Sequence, residues 1–282
     1  MDDIYSRIKI IPIGKCLSHE GIIEKWVDQI AANIKDQGVM KNPVIVTKHE
    51  PYYVVLDGMH RFAALKKLGI RDILACEVDY FSPKIILEGW DAIVFKEMKA
   101  RSLLSELFPS ENGYRYRHVS DLALAKKEVL ERRSLLAVAD KGGEILLLEK
   151  EGTPAECLVE ELCFATDKID RVFSERDIKV LYIDNFLTLD DFPVSSAGSV
   201  VLRPQFTKKE VIDHTLHKKL FPPKSTRHLI PERPLRVDFD LSLLSADIDL
   251  HTKNKVLQDH LRWCYENNRV RFYPESVYIF SD

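Results

Sequence analysis

Five consecutive residues, Asp57 to Arg61, place a carboxylate, a glycine, a histidine and an arginine within one short stretch of chain. They follow the apolar run 52–56 and begin the segment 59–68, whose pattern is typical of a helix. Glycine at such a turn lets backbone N–H groups approach a ligand, and a helix start offers unpaired donors. Cations at this end oppose the helix dipole, and a bound anion would remove the conflict. The segment predicts a phosphate site, and an ordinary helix start with incidental charges is the competing interpretation.

Other polar candidates are dispersed along the chain. Glu20 precedes a predicted helix at 21–37 and is either a functional carboxylate or an ordinary first-turn glutamate. The segment 222–228 reads Pro-Pro-Lys-Ser-Thr-Arg-His, and its two prolines favour a held binding loop over a solvated basic loop. Trp90 follows an apolar run and suits either a pocket wall or the core. Lys41 precedes the strand that leads to the segment 57–61, and its side chain either reaches a phosphate or stays solvated.

The hydrophobic periodicity predicts a mixed α/β protein with two lobes. A clear break at 109–113, Pro-Ser-Glu-Asn-Gly, sets the expected boundary between lobes 1–108 and 109–282. Thr207 and Glu210 have the spacing of a capping box, and Lys141-Gly142-Gly143 predicts a hairpin. The expected helices are 21–37, 59–68, 92–108, 154–173, 207–220 and 252–267, and the expected strands are 9–13, 43–47, 52–56, 73–78, 135–139, 145–148, 178–183, 199–203, 270–272 and 277–280.

Composition narrows the class of function. The 282 residues carry a net charge of −3, whereas general nucleic-acid binders usually show a basic surplus. Apolar runs stay below the roughly 20 residues that a membrane span needs, so we expect no membrane association. The start, Met-Asp-Asp-Ile, lacks the layout of a signal peptide, which makes the cytoplasm the expected location.

The segment from Asp57 to Gly69 resembles the nucleotide-phosphate motif of the ParB/sulfiredoxin fold. The equivalent box is rich in Gly-Glu-Arg-Arg in chromosome-partitioning ParB proteins and reads Gly-Cys-His-Arg in sulfiredoxin. The form Asp-Gly-x-His-Arg looks like that of the free L-serine kinases of this fold. These enzymes occur in archaeal cysteine synthesis and beside bacterial siderophore genes, where they make O-phospho-L-serine.

Further segments are similar to that family. Glu20 matches a catalytic glutamate before the first helix, and Trp90 matches a tryptophan lining the serine pocket. The segment 222–228 resembles a second-lobe loop that grips the amino acid, and 273–278 is similar to the family's ending. The resemblance implies a ParB/sulfiredoxin-like N-terminal lobe, a second mixed α/β lobe, and an active site in the cleft between them.

The resemblance also implies a role for each candidate. The donor is ADP or ATP, and Mg²⁺ bridges its phosphates, held by Asp57, which alternatively assists Glu20. Glu20 accepts the proton of the serine hydroxyl. The remaining expected contacts are Lys41, Gly58, Met59, His60 and Arg61 with the nucleotide, and Trp90, Thr226, Arg227 and His228 with the amino acid, whose carboxylate Arg227 would pair.

Three other functions remain to be weighed. A ParB-like DNA-associated regulator would need a recognition helix and a basic surface. The overall charge is acidic, and no recognition-helix pattern is evident between 120 and 175. A sulfiredoxin-type reductase needs a cysteine within the box, where Met59 stands instead. Threonine, homoserine or another small alcohol as acceptor is compatible with the sequence. No residue decides between ADP and ATP.

Overall fold

The protein is described by a computed structural model, in which residues 2–155, 158–184 and 198–273 can be described. Its contacts divide the chain into two compact units, each built from separate stretches of sequence. Unit 1 contains residues up to 16, residues 24–79 and the described residues from 232 onward. Unit 2 contains residues 17–23 and the described residues between 80 and 231.

The helices and strands of the described residues are numbered along the chain. The helices are α1 (Asp2–Arg7), α2 (Glu24–Gln37), α3 (Met59–Lys67), α4 (Ala100–Leu107), α5 (Leu122–Leu130), α6 (Leu158–Glu175), α7 (Lys208–Leu216), α8 (Leu241–Ser245) and α9 (Leu250–Glu266). The strands are β1 (Ile8–Pro12), β2 (Cys16–Ser18), β3 (Val39–Met40), β4 (Val44–His49), β5 (Tyr52–Asp57), β6 (Asp72–Glu77), β7 (Ile86–Glu88), β8 (Trp90–Val94), β9 (Tyr114–His118), β10 (Leu136–Asp140), β11 (Ile145–Lys150), β12 (Val180–Asp184), β13 (Ser199–Leu202), β14 (Arg227–Leu229) and β15 (Phe239–Asp240). None of the described helices is long and apolar enough to span a bilayer.

The sheet of unit 1 runs β1–β6–β4–β5, with antiparallel pairs except between β4 and β6, which run parallel. These strands are apolar and buried on both faces, as their runs of valine, isoleucine and leucine predict. Helix α2 buries one face, formed by Val27, Ala31 and Ile34, and packs against α3. This packing places the end of β5 and the start of α3 on a rigid base.

The last helix completes unit 1 from the far end of the chain. Asp249 caps α9 by accepting from Thr252 N at 2.9 Å. The side chain of Asn254 accepts from Ile10 N at 2.8 Å and donates to Ile10 O at 2.9 Å, so it extends the ladder of β1. Lys253 is buried and donates to Asp72 of β6 at 2.7 Å. Helix α9 is therefore bonded to the sheet at two points.

Unit 2 has a six-stranded sheet of the order β12–β8–β13–β10–β11–β9. All five pairings are antiparallel. Its core combines apolar strand residues with one face of α5, including Ala125, Val129, Leu147 and Leu202. A separate ribbon pairs β7 with β14, so that Glu88 lies opposite Arg227. This ribbon links the loop at 222–228 to the segment that leads into β8.

Several expectations from the sequence are confirmed, among them the mixed α/β class, the hairpin around Gly142 and the capping box at Thr207. The helix expected over 92–108 is wrong in its first half, because β8 forms there and only α4 is helical. Residues 92–94 are buried between two neighbouring strands, and a helix would leave those strands unpaired. The run 270–272 is not a strand, and 277–280 lies outside the described residues.

The observed boundary between units also differs from the expected break after residue 108. The chain passes from unit 1 to unit 2 after Asp79 and returns to unit 1 at Glu232. The physical reason is the position of β8, which lies within the sheet of unit 2. The break at 109–113 is a turn inside unit 2, ending in Gly113 with φ +81°.

Candidate functional site

The start of α3 has the geometry that the sequence predicts for an anion site. Strand β5 ends at Asp57, Gly58 adopts φ +90°, and the helix begins at Met59. This φ strains any side-chain residue, and a Cβ here would lie 2.7 Å from Nη2 of Arg61. No side chain caps the helix, and its first turn has no acidic residue. The helix start therefore presents backbone donors without a carboxylate of its own.

Asp57 accepts from two guanidinium groups. Nη2 of Arg61 lies 3.1 Å from Oδ2, and Nη2 of Arg233 contacts the same oxygen. Burial alone would raise the pKa of Asp57, but Arg233 and Arg61 outweigh it and hold the pKa below its usual value. Asp57 is therefore ionised at neutral pH. We call Asp57, Gly58, His60, Arg61 and Arg233 the phosphate cradle.

The other predicted nucleotide contacts differ in exposure. The side chain of Met59 is buried in the core. The ring of His60 lies 5.2 Å from that of Trp26 on α2. Nε of Arg61 is buried without a hydrogen-bond partner among the described residues. Lys41 is exposed, and its carbonyl accepts from the backbone of Val237 at 2.8 Å. The side chains of His60 and Arg61 thus belong to the cradle, whereas Lys41 is fixed through its backbone.

A metal ion at this site would rely on few protein ligands. Within 2–155, 158–184 and 198–273, no group of three or more His, Cys, Asp or Glu residues is arranged to hold a metal. Both arginines contact Oδ2 of Asp57. Mg²⁺ typically binds one or two carboxylates together with substrate phosphates. One carboxylate beside a phosphate cradle fits that donor set.

In unit 2, Glu20 holds the loop at 222–228. Its segment forms a parallel bridge with Phe221, whose N–H donates to His19 O at 2.9 Å. Oε1 accepts from Lys224 N at 2.6 Å, and Oε2 accepts from both N and Oγ1 of Thr226 at 3.1 and 2.6 Å. Lys224 adopts φ +61°, a strained conformation for a side-chain residue. Glu20 thus accepts three hydrogen bonds from one loop.

Two histidines flank this carboxylate. His19 is buried, and its Nε2 lies 2.7 Å from Oγ1 of Thr226 and 3.8 Å from Oε2 of Glu20. His228 contacts the hydroxyl of Tyr80 through Nε2 at 2.7 Å, and its ring packs edge-on against His19 at 5.1 Å. The hydroxyl of Thr226 therefore lies between an imidazole and a carboxylate, where an alcohol can give up or receive a proton.

Trp90 borders the same loop. Its indole Nε1 donates to Thr226 O at 3.1 Å. The guanidinium of Arg227 lies 5.1 Å from the indole ring centre, and the ammonium of Lys224 lies 5.6 Å from it. Arg227 also donates to Glu88 at 2.9 Å, and Glu88 is buried. Arg227 is therefore already paired with Glu88. A substrate carboxylate would have to share the guanidinium of Arg227 with the carboxylate of Glu88.

The structure brings Glu20, Trp90, Thr226, Arg227 and His228 together in unit 2, as the sequence reasoning expected of the amino-acid site. Four residues in contact with the predicted ones were missed, namely His19, Tyr80, Glu88 and Arg233. The sequence could have indicated Glu88, because a charged residue within the apolar run before Trp90 needs a partner. It could not have indicated Arg233, which lies 176 positions after Asp57.

Comparison with known proteins gives relatives over most of the chain. Residues 7–86 match the ParB N-terminal domain. The ATP-dependent L-serine kinase of Staphylothermus marinus is 28% identical over 233 residues, covering 80% of this chain and 86% of that protein. The ADP-dependent L-serine kinase SerK of Thermococcus kodakarensis is 25% identical over 238 residues, covering 83% and 91%.

The fold is likewise shared with a solved structure. A free serine kinase mutant in complex with ADP superimposes with a TM-score of 0.69 at 21% identity, over 84% of this chain and 94% of that chain. The chain therefore has the ParB/sulfiredoxin-like fold that its sequence led us to expect. The resemblance to the free L-serine kinases, first drawn from the Asp-Gly-x-His-Arg segment, is confirmed by these relatives.

Proposed function

We propose that this chain, with a ParB/sulfiredoxin-like fold and L-serine kinases as relatives, is itself a free L-serine kinase. It would transfer a phosphoryl group from ADP or ATP to the hydroxyl of L-serine and form O-phospho-L-serine. The observation that carries the proposal is the contact of the Glu20 carboxylate with the loop at 222–228, where it accepts a hydrogen bond of 2.6 Å from the hydroxyl of Thr226. A kinase for a small alcohol needs a carboxylate that can accept from a hydroxyl in this way.

The donor is assigned to the phosphate cradle of unit 1. Phosphoryl transfer depends mainly on positioning and on neutralising the charge of the phosphates. The start of α3 supplies backbone donors, and His60 and Arg61 supply side-chain donors. Support for this assignment comes from Gly58, whose φ of +90° exposes the helix start. The exposed Lys41 is retained as a further candidate for a phosphate contact.

Mg²⁺ is proposed as the metal that accompanies the nucleotide. Asp57 would hold it, because its carboxylate is kept ionised by the two arginines. When bound, the ion would neutralise charge that develops on the phosphate oxygens. Asp57 also pairs with Arg61 at 3.1 Å.

The acceptor is assigned to unit 2. Glu20 would accept the proton of the serine hydroxyl, and His19 lies 3.8 Å from its Oε2. Trp90 would wall the pocket, while Thr226 and His228 would contact the polar groups of the amino acid. Arg227 would pair the substrate carboxylate in competition with Glu88. The product carries a good leaving group on a three-carbon amino acid, which suits a later substitution reaction such as cysteine synthesis.

An activity panel tests the proposal directly. ATP and ADP are each combined with L-serine, L-threonine and homoserine, and phospho-amino acids are measured by mass spectrometry. We expect O-phospho-L-serine from at least one donor, at a rate well above that with the other acceptors. D-Serine serves as the matched control for the shape of the acceptor site. The absence of product in every combination would exclude the proposed kinase.

A further inference from the structure

Arg233 lies at the phosphate cradle although it belongs to the chain's return into unit 1. Its Nη2 contacts Oδ2 of Asp57, the oxygen that also accepts from Arg61. The side chain of Arg233 is 40% exposed, so this guanidinium reaches both the carboxylate and solvent. The preceding residue, Glu232, adopts φ +56°, a conformation that side-chain residues rarely take.

The charges at this point do not balance. Asp57 contributes one negative charge, and Arg61 and Arg233 contribute two positive charges. The first turn of α3 adds a positive dipole end and no acidic residue. Within the described residues, Nε of Arg61 is moreover a buried donor without a hydrogen-bond partner. The site thus has a surplus of positive charge and of donors, which an anion would satisfy.

Arg233 is not needed to attach its segment. Glu232 pairs with Arg7 at 3.0 Å, and Arg236 N donates to Asn42 at 2.8 Å. Backbone bonds from Val237 and Asp238 to Lys41 O follow at 2.8 and 3.2 Å. Four other contacts therefore hold residues 232–238 in place. Arg233 pairs with Asp57, which Arg61 already neutralises, and attachment of the segment does not explain this second ion pair.

We propose that Arg233 binds a phosphate group of the nucleotide through the part of its guanidinium that faces solvent. The inference rests on the proposed function, since it names a further residue of the same donor site. Two arginines that contact the same carboxylate oxygen, Oδ2 of Asp57, can both donate to phosphate oxygens. Arg233 would thereby couple the return segment 232–238 to nucleotide binding.

The experiment measures nucleotide affinity by calorimetry in EDTA, without serine and without divalent metal. Arg233→Ala should weaken ADP binding about tenfold or more, because it removes charge-assisted hydrogen bonds to phosphate. Affinity for adenosine, which has no phosphate, should not change. The ADP affinity of Arg233→Lys should lie between those of the wild type and Arg233→Ala, because lysine keeps the charge but loses the bidentate guanidinium. Arg236→Ala, an exposed arginine of the same segment, is the matched control and should bind ADP normally.

Asp57→Asn distinguishes a phosphate contact of Arg233 from a purely structural role of its ion pair with Asp57. Arg233→Ala and Asp57→Asn both break that ion pair, so a structural role predicts weaker ADP binding in both variants. A phosphate contact predicts opposite signs, because Asp57→Asn removes a negative charge beside the phosphates and should leave affinity equal or higher. Parallel losses, or an unchanged Arg233→Ala, would overturn the inference and leave the kinase proposal intact. A wild-type chain that binds no ADP would overturn both.

Discussion

At the scale of single residues, Glu20 combines an observed contact with a proposed role. It accepts three hydrogen bonds from Lys224 and Thr226, which fixes the loop, and we propose it as the base for the acceptor hydroxyl. The sequence indicated the carboxylate through its resemblance to a catalytic glutamate. It could not indicate the hydrogen bonds, because these partners lie 204 and 206 positions away.

Glu20→Gln tests the assignment of roles. The amide cannot accept a proton from serine, and its NH₂ faces at least one backbone donor that the carboxylate now satisfies. We expect turnover to fall at least about 100-fold, with the affinity for ADP within about twofold of wild type. Steady-state kinetics and calorimetry provide the two values. Glu24→Gln, an exposed glutamate at the start of α2, is the control. A loss of ADP affinity in Glu20→Gln would contradict the assignment of donor and acceptor to different units.

Arg227 illustrates a limit of sequence reasoning at the same scale. Arg227, a basic residue in a polar loop, was expected to pair with the carboxylate of the substrate. The ribbon of β7 and β14 places buried Glu88 directly opposite, and the two side chains pair at 2.9 Å. Cross-strand neighbours follow from register, which local sequence patterns do not determine. The sequence thus located the loop but not the partners of its charges.

At the scale of elements, the start of α7 was predicted correctly. Thr207 and Glu210 form the expected capping box, with Glu210 accepting from Thr207 N at 2.8 Å. Local spacing is sufficient for such a cap, because both partners lie within one turn. Strand β8 is the opposite case. It was expected to be helical, since apolar residues alone do not distinguish a buried strand from a helix and its sheet neighbours come from distant segments.

Glu210 also gives a prediction for stability against pH. Burial alone would raise its pKa, but Arg132 and Thr207 outweigh burial and lower the pKa to about 2. Arg132 binds it through two bonds of 2.5 and 2.6 Å. A lowered folded pKa gives stability that is complete above the unfolded value and is lost as pH falls toward 2.

We expect the free energy of unfolding to fall by up to about 3 kcal/mol between pH 4.5 and pH 2 on account of this group. Glu210→Gln should be less stable at pH 7 and should show a flatter profile across that range. Urea unfolding at several pH values provides the comparison. Glu131→Gln, an exposed glutamate beside Arg132, is the control. A Glu210→Gln profile as steep as that of wild type would assign the acid sensitivity to other carboxyls.

At the scale of the whole molecule, the sequence could not predict that each unit is built from separate stretches of the chain. The periodicity located most helices and strands, but it does not state which of them share a sheet. Unit 1 recruits α9 through Lys253 and Asn254, whose partners Asp72 and Ile10 stand near the other end of the chain. Long-range pairing depends on packing of complete faces, and local sequence holds little information about it.

Lys253→Met tests how strongly α9 supports unit 1. The lysine is buried against Asp72, so methionine would leave an unpaired carboxylate inside the protein. Removal of one partner from a buried ion pair costs about 3–5 kcal/mol. We therefore expect a clear loss of thermal stability, measured as the midpoint of thermal unfolding. Lys255→Met, exposed on the same helix, should behave as wild type, and Lys253→Met with Asp72→Asn should recover part of the loss.

The bond between Lys253 and Asp72 also sets an order of events during synthesis. The ribosome adds Asp72 first, and the lysine that neutralises it lies 181 positions later in the chain. At ordinary elongation rates this delay is roughly 10–40 s. Arg233 is likewise absent while the box around Gly58 is already complete. A nascent chain at that stage would therefore contain residues 57–61 without Arg233, and Asp72 without the lysine that pairs with it. Nucleotide binding that depends on both arginines could then assist folding only after residue 233 has been added.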